Sequence, residues 1–242
     1  MKIIQKSQEK IVFAEEMDES LANAIRRSAL EVPILAIDEV DISKNDSVLF
    51  DEVLALRLGL VPLENSSLEL KDECSCKGKG CNNCTVQLKL KAKGPCTVYS
   101  KELKGSAKPI YGEIPLTTLE EDAELELVAF ARLGLGIQHT KYSPGLVFYR
   151  NVAELKTEDC DNCEKCVQAC PKKVLKAAKN KVSFIDQYKC DLCGLCEDVC
   201  ESIKIVPGKE ILFTIESYGQ MPAKDILTDA VKALKKNLKE LK

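Results

Sequence analysis

The sequence predicts an α+β fold, and three observations carry that expectation. Strand and helix signatures alternate up to Pro62, short alternating apolar and polar runs take over from Ser66 to about Tyr149, and a cysteine-rich segment leads into a last strand and helix. With 242 residues, 45% of them hydrophobic, the chain can bury a sizeable core and hold more than one domain. A disordered tail or a mini-protein is excluded.

Two strand-like stretches come first, Lys2 to Gln5 and Ile11 to Ala14. Asp18 then offers an N-cap for a helix through Glu31, with Leu21, Ala24, Ile25, Ser28 and Ala29 at helical spacing, and Pro33 closes it. Ile34-Leu35-Ala36-Ile37, followed by Val40 and Ile42, reads as a strand, and Asp51 to Leu60 as a second short helix ended by Gly59 and Pro62. Val86-Gln87-Leu88-Lys89-Leu90 and Leu125-Glu126-Leu127-Val128 alternate as half-buried strands between glycine and proline punctuation, so a small β-rich domain is expected there.

The last strand spans Ile211 to Glu216, and Pro222 opens the last helix at a first-turn position, where its missing N–H is no loss. That helix places Leu227, Val231, Leu234, Leu238 and Leu241 three or four residues apart, with Lys232, Lys235, Lys236 and Lys239 away from the seam. One face is built to be covered, either by its own domain or by a partner subunit. The lysines near its end complement the helix dipole and so do not argue for a nucleic-acid site.

Charge points the same way. Lysine plus arginine number 35 against 38 aspartates and glutamates, a net charge of -3, which is a poor start for gripping phosphates unaided. No direct nucleic-acid contact is expected. The N-terminal MKIIQKSQEK has polar residues where a signal peptide needs an apolar stretch, and no apolar run reaches membrane-spanning length. A soluble, cytoplasmic protein without membrane association is the expectation.

Of 13 cysteines, Cys96 stands alone and the rest form two groups. Residues 160 to 171 read CDNCEKCVQACP and residues 190 to 200 read CDLCGLCEDVC, so C-x2-C-x2-C-x3-C occurs twice at an offset of 30. Three thiolates spaced two residues apart can wrap one corner of a 4Fe-4S cubane, while the fourth is left for the other cluster. The repeats therefore exchange ligands. One cluster is expected on Cys160, Cys163, Cys166 and Cys200, the other on Cys170, Cys190, Cys193 and Cys196. The segment resembles bacterial-type two-cluster ferredoxins over about fifty residues, except that Glu201 stands where a second proline is usual. Zinc or disulfides are the alternative for these eight sulfurs.

Cys74, Cys76, Cys81 and Cys84 supply four more sulfurs within an 11-residue loop, with Lys77 and Lys79 between them. Four thiolates suit a tetrahedral zinc ion, and the lysines would offset its net negative charge. The C-x-C spacing is tighter than usual for zinc, so disulfides or free thiols remain alternatives. A metal with all four positions filled would staple the loop and leave no open site for catalysis.

Three stretches carry a further resemblance: Glu19-Ser-Leu-Ala-Asn-Ala-Ile-Arg-Arg27, Glu31-Val-Pro-Ile-Leu-Ala-Ile-Asp-Glu-Val40 and Asp51-Glu-Val-Leu-Ala-Leu-Arg-Leu-Gly-Leu-Val-Pro-Leu63. Gly136-Ile-Gln-His-Thr-Lys-Tyr-Ser-Pro144 and Phe213-Thr-Ile-Glu-Ser-Tyr-Gly219 support them. Together they resemble the alpha family of DNA-directed RNA polymerase subunits, in its archaeal D-type branch, some of whose members carry a ferredoxin-like insertion. The four-cysteine loop looks like the zinc loop of the eukaryotic relatives.

The resemblance implies a dimerisation domain split between residues 1–43 and 208–242, an inserted β-rich domain over 44–157 and a ferredoxin-like domain over 158–207. It also implies heterodimerisation with the small L subunit of the polymerase through the first and last helices. The small N and P subunits join that pair, and the platform so formed receives the two large catalytic subunits. Arg26 and Arg27 match the paired arginines of the family helix, implicated in contact with a large subunit.

Catalysis is not expected in the chain itself. The acidic run Glu120-Glu121-Asp122 offers one aspartate where magnesium needs a cluster of them, and it reads as a solvated loop or helix start. His139, the single histidine, has no nucleophile beside it and reads as structural. Two other classes compete with an assembly subunit. A ferredoxin-type electron carrier would use the eight-cysteine repeat, although no G-x-G-x-x-G follows a strand to bring in a second cofactor. A zinc-dependent interaction module would carry its clusters incidentally.

Overall fold

The computed structural model describes residues 1–64, 68–70, 73–77 and 79–240. Ser66 and Leu241, which bound two of the sequence expectations, lie outside the described residues. The strands are β1 (Lys2–Lys6), β2 (Lys10–Glu16), β3 (Ile34–Asn45), β4 (Val86–Lys93), β5 (Cys96–Tyr99), β6 (Lys104–Gly105), β7 (Pro115–Leu119), β8 (Glu124–Gly134), β9 (Gly145–Thr157), β10 (Leu175–Ala178), β11 (Lys181–Phe184) and β12 (Ile203–Ser217). The helices are α1 (Glu19–Ser28), α2 (Asp51–Gly59), α3 (Lys165–Ala169) and α4 (Ala223–Glu240). Among the described residues, no helix is long and apolar enough to cross a membrane.

Two compact units divide the chain. The first comprises Met1–Lys6, Ile11–Ala24 and Phe148–Thr214; the second comprises Ser7–Lys10, Ile25–Val147 and Ile215–Lys242.

In the first unit the main sheet runs β1-β2-β12-β9, opened by the antiparallel β1/β2 hairpin. Residues 211–215 of β12 are all buried, Thr214 among them, as expected of a mostly apolar run in a strand covered on both faces. Phe213 stacks between Phe13 at 5.5 Å and Tyr149 at 6.0 Å, while Leu212 packs with Val12, Ala14 and Val152 on the opposite face. β12 begins at Ile203, eight residues before the strand expected from sequence. Pro207 and Gly208 read as turn punctuation but sit within the strand, where Gly208 lets β9 approach and its carbonyl accepts from Asn151 Nδ2 at 3.1 Å.

Asp18 caps α1 with its Oδ1, which accepts from the Ser20 N–H at 2.8 Å. The α-helix stops at Ser28 and the chain tightens into a 3-10 turn over Ala29–Glu31 before Pro33, so the helix expected through Glu31 ends in a narrower last turn.

In the second unit β8 is central to a sheet ordered β3-β8-β4-β6, pairing antiparallel with β3 (Ile34↔Gly134) and with β4 (Leu88↔Ala129). The inward residues of these strands, Leu35, Ile37, Leu88, Leu90 and Leu127, form one core with Leu54 and Leu58 of α2 and with Val98 and Leu116 of the β5/β7 pair. The β3 ladder slips between Ile37 and Glu39, so Asp38 occupies a β-bulge. The start of α4 is fixed by the Pro222 carbonyl, which accepts from the Asp225 and Ile226 N–H groups. Further along, Asn237 Nδ2 donates to Glu31 Oε2 at 2.7 Å, where the helix packs on the 3-10 turn.

The face of α4 covered within the chain consists of Ala223, Ile226 and Ala230. Leu227, Val231 and Leu234 lie on the neighbouring stripe and are half-buried, and Leu238 is 54% exposed. Two of the three innermost residues are alanines, which let the helix come close to its support. The leucine and valine seam is therefore not the face that the chain itself covers.

Candidate functional site

The loop between α2 and β4 folds into two tight turns. Lys77 N–H donates to the Cys74 carbonyl at 2.9 Å, and the N–H groups of Cys84 and Thr85 both reach the Cys81 carbonyl at 3.0 and 2.9 Å. These turns bring four sulfurs within 4.8 Å of one another, with Cys74 and Cys84 buried. Sulfur–sulfur separations are 3.5 Å for Cys74 and Cys81, 3.6 Å for Cys76 and Cys84, and 3.9 Å for Cys81 and Cys84. A disulfide needs about 2.0 Å. A tetrahedron with zinc–sulfur bonds of about 2.3 Å has edges of about 3.8 Å, so the donor set fits zinc in kind, number and spacing.

Electrostatics divide this cluster. At Cys74 the Cys76 N–H favours the anion, but burial and the Cys81, Cys76 and Glu69 side chains outweigh it and push the thiol up to about 12, whereas Cys84 and Cys76 move the other way. At Cys84 the N–H of Cys81, 3.4 Å from the sulfur, leads the stabilisation of the anion; burial opposes it and the Thr85 hydroxyl adds to it, with a net lowering of the pKa. For Cys76 burial works against the anion, but hydrogen bonds from the Cys74 and Cys84 thiols outweigh it and bring the group down to about 6.

Beside the loop lies a charged network that no sequence pattern announces. Arg132 of β8, 7% exposed, donates through Nη1 and Nη2 to the two carboxylate oxygens of Glu39 at 2.6 and 3.1 Å, and to Asp38 at 3.2 Å. Its Nε donates to Thr85 Oγ1 at 3.2 Å. Asp38 also accepts from Lys141 Nζ at 3.0 Å and from the Tyr142 hydroxyl at 2.9 Å. The bulge at Asp38 explains how two consecutive strand residues, which would ordinarily face opposite sides, both reach one guanidinium.

In the cysteine repeat, chain conformation repeats along with sequence. Asn162 and Leu192 both have φ of 59°, and Glu164 and Gly194, again 30 residues apart, have φ of 59° and 78°. A helical turn follows each, with Gln168 N–H bonded to the Glu164 carbonyl and Glu197 N–H to the Gly194 carbonyl. Lys173 N–H then bonds to the Cys170 carbonyl, as Ile203 N–H does to that of Cys200. Left-handed residues flanking each second cysteine curl the backbone into a concave loop, the shape needed to wrap a cluster.

Cys160, Cys166, Cys170, Cys190 and Cys196 are buried among Val174, Leu175, Val182 and Ile203, while Cys163 and Cys193 are exposed. Cys170, Cys190, Cys193 and Cys196 line one small cavity. Burial, with Cys200 adding to it, pushes Cys166 up to about 11, and burial pushes Cys196 up to about 11. Buried sulfurs with apolar neighbours and few polar partners fit an iron–sulfur cluster, whose binding displaces the protons. Arg150 of β9 secures the second repeat by donating to the carbonyls of Cys190 and Tyr188.

The remaining sequence candidates are quickly placed. His139 accepts the Lys141 N–H on Nδ1 at 3.1 Å and caps a 3-10 turn. Glu120, Glu121 and Asp122 form an exposed turn between β7 and β8. Arg26 is half-buried and Arg27 exposed, both in the last turn of α1. Cys96 sits in β5, its thiol 3.5 Å from the Lys93 carbonyl.

Two family models match the chain: the RNA polymerase Rpb3/RpoA insert domain over residues 40–147, and a 4Fe-4S dicluster domain over residues 153–201. Curated relatives named DNA-directed RNA polymerase subunit Rpo3 match over most of its length. The protein from Methanosarcina mazei is 39% identical, covering 92% of this chain and 88% of the relative. That from Methanothermobacter thermautotrophicus is 40% identical, covering 88% and 86%. That from Thermococcus kodakarensis is 35% identical, covering 96% and 92%.

Proposed function

On the premise that the chain belongs to the archaeal Rpo3 family and is a non-catalytic subunit of DNA-directed RNA polymerase, we propose that it acts as the assembly subunit. In this reading it pairs with the L subunit, is joined by the N and P subunits, and presents a cytoplasmic platform to the large catalytic subunits. Residues 1–43 and 208–242 form the dimerisation domain, 44–157 the inserted β-rich domain and 158–207 the ferredoxin-like domain.

The observation that carries the reading is the stripe on α4. Leu227, Val231, Leu234 and Leu238 remain partly open to solvent next to a fully covered face, which supports a second chain covering them. Burying such a stripe is a hydrophobic gain of about 25 cal/mol per Å². Arg26 and Arg27 would meet a large subunit.

The metal centres serve this scaffold. Cys160, Cys163, Cys166 and Cys200 would hold one 4Fe-4S cluster, Cys170, Cys190, Cys193 and Cys196 the other, and Cys74, Cys76, Cys81 and Cys84 a zinc ion. When bound, each group supplies metal–thiolate bonds that fix its loops, so loss of iron unfolds the third domain and alters later assembly steps.

Anaerobic co-expression with the L, N and P subunits, followed by mass and metal analysis of what co-elutes, tests the whole reading. A stoichiometric complex with about eight irons and one zinc per chain is the expected result. A lone chain that is reversibly reduced by a cellular donor and captures no subunit would replace the scaffold with the electron carrier. Unchanged recovery of the large subunits by cysteine variants lacking both clusters would remove the regulatory role.

A further inference from the structure

We propose that Thr85 and Arg132 form a hydrogen-bond relay into the Cys84 sulfur and so set how firmly the four-cysteine centre retains its metal. This rests on the zinc reading above.

Hydrogen-bond direction carries the argument. Thr85 Oγ1 lies 3.7 Å from Cys84 Sγ. A metal-bound thiolate has no proton to give, so the hydroxyl is the donor. A hydroxyl has one proton, and Arg132 Nε–H, which can only donate, already occupies the oxygen's acceptor side at 3.2 Å. The Thr85 proton is thereby left for the sulfur. With the Cys81 N–H at 3.4 Å, Cys84 receives two donors.

The far end of the relay is fixed as well. The Arg132 guanidinium is clamped by Glu39 and Asp38 across the β3 bulge. Gly80, at φ +86° in the left-handed region that favours glycine, passes beside both Thr85 Oγ1 and Arg132 Nη2. A zinc ion with four thiolates carries a net charge of about -2, and each hydrogen bond donated to a sulfur spreads part of it. Partners of this kind are worth about 10- to 100-fold in metal affinity.

The test is zinc loss from the full chain, purified anaerobically, to excess EDTA, with retained zinc counted by elemental analysis. Thr85→Val keeps the shape and removes the donor, and should speed zinc loss about tenfold or more. Thr85→Ser should restore the original rate. Arg132→Lys keeps the charge but loses the Nε donor, and should also speed loss. The double variant should be no faster than Thr85→Val alone, because both act along one path. In cobalt-substituted protein, Thr85→Val should move the thiolate-to-cobalt charge-transfer band to lower energy, a change that loop packing alone would not produce.

Zinc loss from Thr85→Val within twofold of the parent rate, or multiplicative effects in the double variant, would overturn the relay and leave the zinc centre standing. If the parent chain holds no more zinc than Cys84→Ser, the zinc reading fails and the relay with it.

Discussion

Arg132 grips Glu39 through two parallel hydrogen bonds of 2.6 and 3.1 Å and, from the same guanidinium, reaches Asp38 at 3.2 Å. Glu39 alone would make an ordinary partly exposed pair. Asp38 turns it into a hub, because that carboxylate also accepts from Lys141 and Tyr142. One bulged residue thus links β3, β8 and the 3-10 turn over Thr140–Tyr142.

Asp38→Asn should therefore destabilise the chain at neutral pH by about 1.5–3 kcal/mol, the range for hydrogen bonds to a charged group. Burial opposes ionisation of Asp38, but the bonds from Lys141, Tyr142 and Arg132 outweigh it and hold its carboxyl below the usual value. A depressed folded pKa gives stability that is present above the unfolded value of about 3.9 and lost as pH falls through the folded one. The cost of Asp38→Asn should accordingly shrink between pH 7 and pH 3 in urea unfolding. An equal cost at both pH values would show that the charge contributes nothing.

Gly134→Ala tests the packing beneath the same hub. A Cβ there would lie 2.6 to 2.7 Å from three ring carbons of Tyr142, so the ring must shift and draw its hydroxyl away from Asp38. Overpacking of this kind costs about 1–3 kcal/mol. Tyr142→Phe should cost less in the Gly134→Ala background than in the parent, since the bond it removes is already strained. Strict additivity of the two costs would argue against a shared cause.

What could be read from sequence follows from how local each signal is. The Asp18 cap, the buried run in β12 and the cysteine repeat are written within a few residues of one another, and periodicity or ligand spacing exposes them. The Arg132 hub joins residues 94 positions apart through a bulge, and no short-range pattern announces a bulge in Ala36-Ile37-Asp38-Glu39. Pro207 and Gly208 hid the first half of β12 because both residue types ordinarily punctuate strands, whereas here they lie within one. On α4 the hydrophobic period drew attention to the leucines, whereas contact within the chain favoured the smaller alanines.

The two cysteine loops offer a matched pair of backbone variants. Gly194 and Glu164 occupy equivalent left-handed positions, at φ of 78° and 59°. Nothing lies within 4 Å of a Cβ built on Gly194, so Gly194→Ala should cost only the backbone penalty of about 1–2 kcal/mol. Glu164→Gly should not destabilise, because it removes that same penalty. Denaturant midpoints of the anaerobically purified chain would compare them, and a destabilising Glu164→Gly would mean that the glutamate side chain itself contributes.

The last helix separates folding from partner binding within one element. Ile226 is fully buried, so Ile226→Ala should destabilise the isolated chain by about 2–5 kcal/mol. Leu238, three turns further on, is 54% exposed, and Leu238→Glu should change the chain's own stability by no more than about 0.5 kcal/mol. If the leucine stripe is an interface, the same Leu238→Glu change buries a charge there and should cut recovery of the L subunit in co-expression, with Leu234→Glu acting in the same direction. Ile226→Ala should lower yield of the chain while leaving the ratio of bound to free chain near normal among folded molecules. Should Leu238→Glu and Leu234→Glu both retain full pairing, the stripe is a solvated face and the partner docks elsewhere.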